Sequence, residues 1–159
     1  MATKKRKALP ADAIAVLKKD HEKVRGLLSQ LERAASRNTA KAEQLLAQVD
    51  REVKIHSQIE EEIFYPAFRD AAQKHDDREL YYEAKEEHHV VDLVMPEVRK
   101  TDSDAEEFAA KTKVLKELIE HHADEEEKEM FPKARKLFDR AELRELGERL
   151  RERKKELGA

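Results

Sequence analysis

Residues 49–66 read VDREVKIHSQIEEEIFYP, and residues 115–132 read LKELIEHHADEEEKEMFP. Laid over one another at an offset of 66, Val49, Val53, His56, Glu60, Phe64 and Pro66 match Leu115, Ile119, His122, Glu126, Met130 and Pro132. The first four residues of each set are spaced by three and four, the step that keeps side chains on one face of an α-helix. Each stretch therefore predicts an amphipathic helix that turns an imidazole and a carboxylate toward the core, one turn apart.

The duplication extends to the preceding helix. Ile14, Leu17, His21, Val24, Leu28 and Leu31 map at an offset of 67 onto Tyr81, Ala84, His88, Val91, Met95 and Val98. Two helical hairpins are thus repeated, each with one inward histidine on its first helix and a His-x3-Glu pair on its second. Breaks fall at 36–39, 75–78, 100–104 and Asp139. Ser103 with Glu106, and Asp139 with Glu142, have the spacing of N-terminal caps. The expected helices run near 12–35, 40–73, 77–99, 104–138 and 140–157. Pro66, Pro96 and Pro132 fall inside them and predict kinks or early ends. The expected fold is all-α: an up-down-up-down four-helix bundle over 12–138, a basic tail over 1–11, and a short fifth helix over 139–159.

Composition supports one domain and excludes much chemistry. The 159 residues carry 33 Lys+Arg against 36 Asp+Glu, too even a balance to imply nucleic acid or an acidic membrane by charge. There is no Cys, so thiolate, disulfide and iron–sulfur chemistry are out. Three scattered glycines write no phosphate-cradling loop. No apolar run approaches a membrane span, and the cytoplasm is the expected location. Lys4, Lys5, Arg6 and Lys7 read as a solvated tail, with an address or anion contact as the alternative.

His-x3-Glu alone says little here, because five of the seven histidines have an acid four residues later. Apolar phase separates them: His21, His56, His88 and His122 share the inward stripe with Glu60 and Glu126, while His75 sits at a break and His89 and His121 fall off it. Buried carboxylates are costly without a cation, and the stripes offer no Lys or Arg at these levels. A metal pair resolves this; histidines hydrogen-bonded to glutamates in a purely structural core are the alternative. Imidazole plus carboxylate without thiolate suits iron, manganese or zinc. Tyr81 and Asp92 lie one or two turns from His88, as outer donors or extra ligands, or as core packing and a solvated edge respectively.

These residues resemble the hemerythrin-like, HHE cation-binding family, whose pattern here reads His21, His56 to Glu60, His88, and His122 to Glu126. The resemblance covers about 12–138. It implies a non-haem di-iron site with four terminal histidines, Glu60 and Glu126 as bridges, and an oxo or hydroxo group between the irons. Oxygen-carrying hemerythrins are similar only in part: their third helix has His-x3-His where this chain has Asp92, leaving a fifth histidine missing unless His89 substitutes. Open metal positions would admit dioxygen, hydrogen peroxide or nitric oxide, and catalase-like peroxide turnover is expected at least as much as oxygen carriage. A metal-binding sensor and an iron storage or donation module are the other readings. No protein partner is legible; the leucines of the fifth helix would either dock one or cap the bundle.

Overall fold

The computed structural model describes residues 8–159; the basic cluster at Lys4 to Lys7 lies outside them. Seven α-helical segments run as α1 (Ala13–Ala34), α2 (Thr39–Ile59), α3 (Tyr65–Ala71), α4 (His75–Lys100), α5 (Phe108–Glu125), α6 (Phe131–Leu137) and α7 (Arg140–Glu156). One π-helical turn, Glu60–Phe64, joins α2 to α3, and another, Glu126–Met130, joins α5 to α6. There is no strand among the described residues. Four long rods therefore form the up-down-up-down bundle expected from the sequence, with α7 laid across α1 and α2.

Local chemistry sets the ends. Asp12 and Asn38 cap α1 and α2 by accepting from Ala15 N at 2.9 Å and Lys41 N at 3.1 Å. Asp139 and Glu142 close a reciprocal capping box at the start of α7. The expected cap at Ser103 does not form: its hydroxyl donates to Glu43 at 2.7 Å, and the helix begins only at Phe108. Pro96 does not end α4, which continues to Lys100; the residue is exposed.

Two apolar clusters fill the bundle. Ile14, Leu17, Ile59, Phe64, Phe68, Phe131 and the α7 leucines Leu143, Leu146 and Leu150 build one end. Leu28, Leu31, Leu46, Val49, Met95 and Leu115 build the other. Full burial of each such side chain stabilises the fold by about 1.5–3 kcal/mol. Between the clusters lies a polar layer made of His21, His56, Glu60, His88, His122 and Glu126, all buried. α7 docks tightly: a Cβ at Gly147 would stand 2.6 Å from the carbonyl oxygen of Ala11 and 2.8 Å from Ala13 N.

Candidate metal centre

The π turns build this layer. In each, an amide reaches back five residues instead of four, Tyr65 N–H to the carbonyl of Glu60 and Phe131 N–H to that of Glu126. The extra residue widens the backbone just before Pro66 and Pro132, where a regular turn would drive the proline ring into the preceding carbonyl. Kinks or early ends are expected at these prolines; regular α-helix gives way to a π turn just before each, and the helix resumes as α3 and α6.

The six residues converge as two histidine pairs spanned by two carboxylates. His21 Nε2 and His56 Nε2 are 3.1 Å apart, and His88 Nε2 and His122 Nε2 are 3.0 Å apart. Glu60 places Oε1 3.0 Å from His56 Nε2 and Oε2 3.2 Å from His88 Nε2. Glu126 places Oε2 3.2 Å from His21 Nε2 and Oε1 3.6 Å from His122 Nε2. Each carboxylate thus faces both pairs. Glu60 Oε1 and Glu126 Oε2 nevertheless make no hydrogen bond, because the histidine nitrogens lie close but out of line. Buried oxygens left in this way are costly. Nitrogens and oxygens crowded around shared points are arranged as donors to cations.

The outer nitrogens explain why the inner ones point inward. Every one of the four histidines has a carboxylate at Nδ1: Glu127 on His21 at 2.9 Å, Asp20 on His56 at 3.2 Å, Glu61 on His88 at 2.8 Å and Glu87 on His122 at 2.9 Å. A carboxylate accepting the Nδ1 proton fixes the ring and leaves Nε2 free as a ligand. The four are related by the duplication: Asp20 and Glu87 precede His21 and His88, and Glu61 and Glu127 follow Glu60 and Glu126. All four are held ionised. Burial alone would raise Asp20, Glu87 and Glu127, but His56 and Lys154, His122, and Arg25 and His21 respectively outweigh it; Glu61 is lowered chiefly by its hydrogen bond to His88.

Without cations the cluster holds its charge with protons. Burial pushes His56 and His88 down, yet the Glu60 charge, with Asp20 for His56 and Glu61 for His88, overrides it and raises them to about 10 and about 9. Glu60 is correspondingly held well below the usual carboxylate range, the two imidazoles outweighing its burial.

Tyr65 also enters the layer, unsignalled by the helical stripe. Its hydroxyl donates to Glu126 Oε1 at 2.5 Å and lies 3.2 Å from Glu60 Oε2, 3.1 Å from His88 Nε2 and 3.4 Å from His122 Nε2. Its pKa is pushed well above the ordinary phenol value by burial and by Glu126 and Glu60. Tyr81 stands behind it, ring edge to face at 6.3 Å, with no hydrogen bond to the histidines or glutamates of the layer. Asp92, His89 and His75 are exposed. His121 is exposed and pairs with Glu125 at 3.1 Å. On the side away from Tyr65, Val24, Val53, Val91 and Ile119 close over the four histidines around a small cavity of about 30 Å³.

The fold and this layer define a four-helix-bundle protein with a buried histidine–carboxylate cluster in its core, of a kind that can hold metal ions. The match of residues 12–134 to the hemerythrin HHE cation binding domain model makes it a member of the hemerythrin HHE family. The chain is similar to a hemerythrin HHE cation binding domain-containing protein of Mycobacterium kansasii, with a TM-score of 0.81 at 30% identity, covering 92% of this chain and 87% of that one. It is also 27% identical over 116 residues to a DNA nickase of Nostoc sp., a match covering 73% of this chain and 31% of that protein. The match thus spans about a third of the nickase. No helix among the described residues is long and apolar enough to cross a membrane.

Proposed function

We propose that the chain is a non-haem di-iron protein that binds or reacts with dioxygen, hydrogen peroxide or nitric oxide. One observation carries the reading: two histidine pairs share two buried carboxylates, each with one oxygen toward His21 and His56 and the other toward His88 and His122, and the two oxygens on the His21 and His56 side have no hydrogen bond. His21 and His56 would hold one iron, His88 and His122 the other, with Glu60 and Glu126 between them. Imidazole and carboxylate donors suit iron, with manganese or zinc as alternatives. A bound iron pair supplies one-electron and two-electron redox chemistry toward small ligands.

The chain's own residues do the rest. The outer carboxylates fix the rings, Tyr65 holds a proton between Glu60 and Glu126, and Val24, Val53, Val91 and Ile119 shape a cavity fit for a diatomic or peroxide-sized molecule. Peroxide turnover would need a proton source, and Tyr65 holds one against Glu60 and Glu126, across the cluster from the cavity. The test is metal content per chain without added metal, then anaerobic reduction and exposure to each ligand. About two irons per chain, with spectral change or peroxide consumption, supports the reading. An absence of metal uptake after anaerobic iron loading, or a loaded protein inert to all three ligands, overturns it.

A sensing role is the second reading, favoured by the nickase match, in which the segment similar to this chain is a minor part of a longer protein. A sensor would bind ligand without turnover. Rapid loss of iron to a chelator would instead indicate storage or donation.

A further inference from the structure

The duplication allows the two halves of the layer to be compared position by position, and they differ most in what stands behind the histidines. On the His21 and His56 side, both outer carboxylates are neutralised. Arg25 clasps Glu127, Nη1 to Oε1 at 2.9 Å and Nη2 to Oε2 at 3.4 Å, while also reaching Asp124 at 2.8 Å. Lys154 of α7 pairs with Asp20 on the oxygen not facing His56. On the His88 and His122 side, no Lys or Arg among the described residues lies within ion-pair distance of Glu61 or Glu87. The counterpart of Arg25 at the offset of 67 is the acid Asp92, and α7 lies outside the duplication, so Lys154 has no counterpart. Glu87 instead has Glu125 and His121 beside it, their ligand atoms all within 4.8 Å.

The inner face is unequal too, in a way separate from the outer carboxylates: the glutamate oxygens on the His88 and His122 side are held by Tyr65, and those on the His21 and His56 side are free. Tyr65 presents its hydroxyl to His88 and His122, whereas its counterpart Phe131 stacks on His21 with ring centroids 5.7 Å apart. A carboxylate at Nδ1 makes the imidazole a stronger donor, and a cation paired with that carboxylate takes part of the effect back. Two carboxylates in direct ion pairs with Arg25 and Lys154 stand behind one pair; behind the other stand two with no Lys or Arg in ion-pair contact, Lys85 acting on Glu61 only from farther off. Glu61 is 42% exposed and softened by water; Glu87, at 24%, less so.

We propose that Lys154 and Arg25 are positioning residues that make the two cation positions unequal, so that His88 and His122 take the first divalent ion and His21 and His56 the second. This rests on the two-metal reading above. The fifth helix then acts on the site as well as covering the bundle, through Lys154, Asp20 and His56 in turn.

Zn²⁺ titration of the metal-free full chain, followed by the histidine ring nitrogens in NMR and by calorimetry, tests this. The first equivalent should move His88 and His122, the second His21 and His56, with dissociation constants at least tenfold apart. Lys154→Met with Arg25→Met should bring the two constants within about threefold, while Lys154→Arg with Arg25→Lys keeps them apart. Lys155→Met, a change to an exposed neighbour, should alter nothing. Simultaneous movement of both pairs in the unaltered chain, or an unchanged gap in the double Met variant, overturns the proposal. The ring-nitrogen order in the unaltered chain decides it even where a variant fails to fold. Failure of every variant and of the parent to take up any metal would overturn the two-metal reading itself.

Discussion

Replacing Tyr65 by Phe removes one oxygen and leaves the ring, so it isolates the hydroxyl. That hydroxyl donates to Glu126 at 2.5 Å inside a buried cluster. A hydrogen bond to a charged group contributes about 1.5–3 kcal/mol, and Tyr65, Glu60 and Glu126 are all buried from solvent. For a chain of this size each kcal/mol moves Tm by about 2–4 °C. A loss near 2 kcal/mol therefore lowers the metal-free Tm by about 4–8 °C. Cations in the layer would themselves satisfy Glu60 and Glu126, so in the loaded protein the stability loss should fall below about 1 kcal/mol, while the visible spectrum shifts. Calorimetry of chelator-treated and reloaded protein at pH 6 measures both. A metal-free Tm within one degree of the parent, together with an unchanged loaded spectrum, would refute the assigned position of the hydroxyl.

The metal-free protein should lose stability as pH rises from about 6.5 toward 10, because His56 and His88 carry raised values of about 10 and about 9; their contribution is complete below the unfolded value and fades through the folded ones. Glu60, held low, contributes above its unfolded value and is lost on acidification, so chemical denaturation should find the maximum near pH 5–6. Metal-loaded protein should show a flatter alkaline limb, and loading at pH 7 should release protons measurable in weak buffer. Gly147→Ala would press a methyl into the backbone of residues 11–13, so we expect about 1–3 kcal/mol of destabilisation and faster amide exchange in α7; a neutral outcome would mean α7 is not docked as described. Val91→Phe should fill the cavity, slowing reaction with peroxide or nitric oxide at least tenfold with metal content intact.

The bundle and its inward histidines were legible because α1, α2, α4 and α5 keep a regular helical phase from Ile14 to Leu31, Val49 to Glu60, Tyr81 to Val98, and Leu115 to Glu126. Tyr65 was not. Five residues after Glu60, it would point about 140° away from that side chain in a continuous α-helix. The π turn adds the residue that brings it back, and neither periodicity nor propensity registers such a turn. The signal available was the aromatic–proline pair, Tyr65–Pro66, echoed by Phe131–Pro132. The outer carboxylates were hidden for another reason: Asp20, Glu61, Glu87 and Glu127 sit beside the stripe in a chain with 36 acids, where an extra acid carries no information until the fold brings it to an Nδ1.

Both copies of the hairpin hold the wide turn at the same place, Glu60–Phe64 and Glu126–Met130, and the offset of 66 runs through it without a gap. Had one copy gained its residue after the two diverged, the register between them would change there by one. The wide turn therefore belongs to the repeated unit, in the same register in both hairpins. A single hairpin with its wide turn supplies two histidines and one glutamate, and only a second copy completes the six-residue cluster. The present chain is such a pair joined end to end, and the hydroxyl of Tyr65 and the cations of Arg25 and Lys154 record how far its halves have since drifted apart.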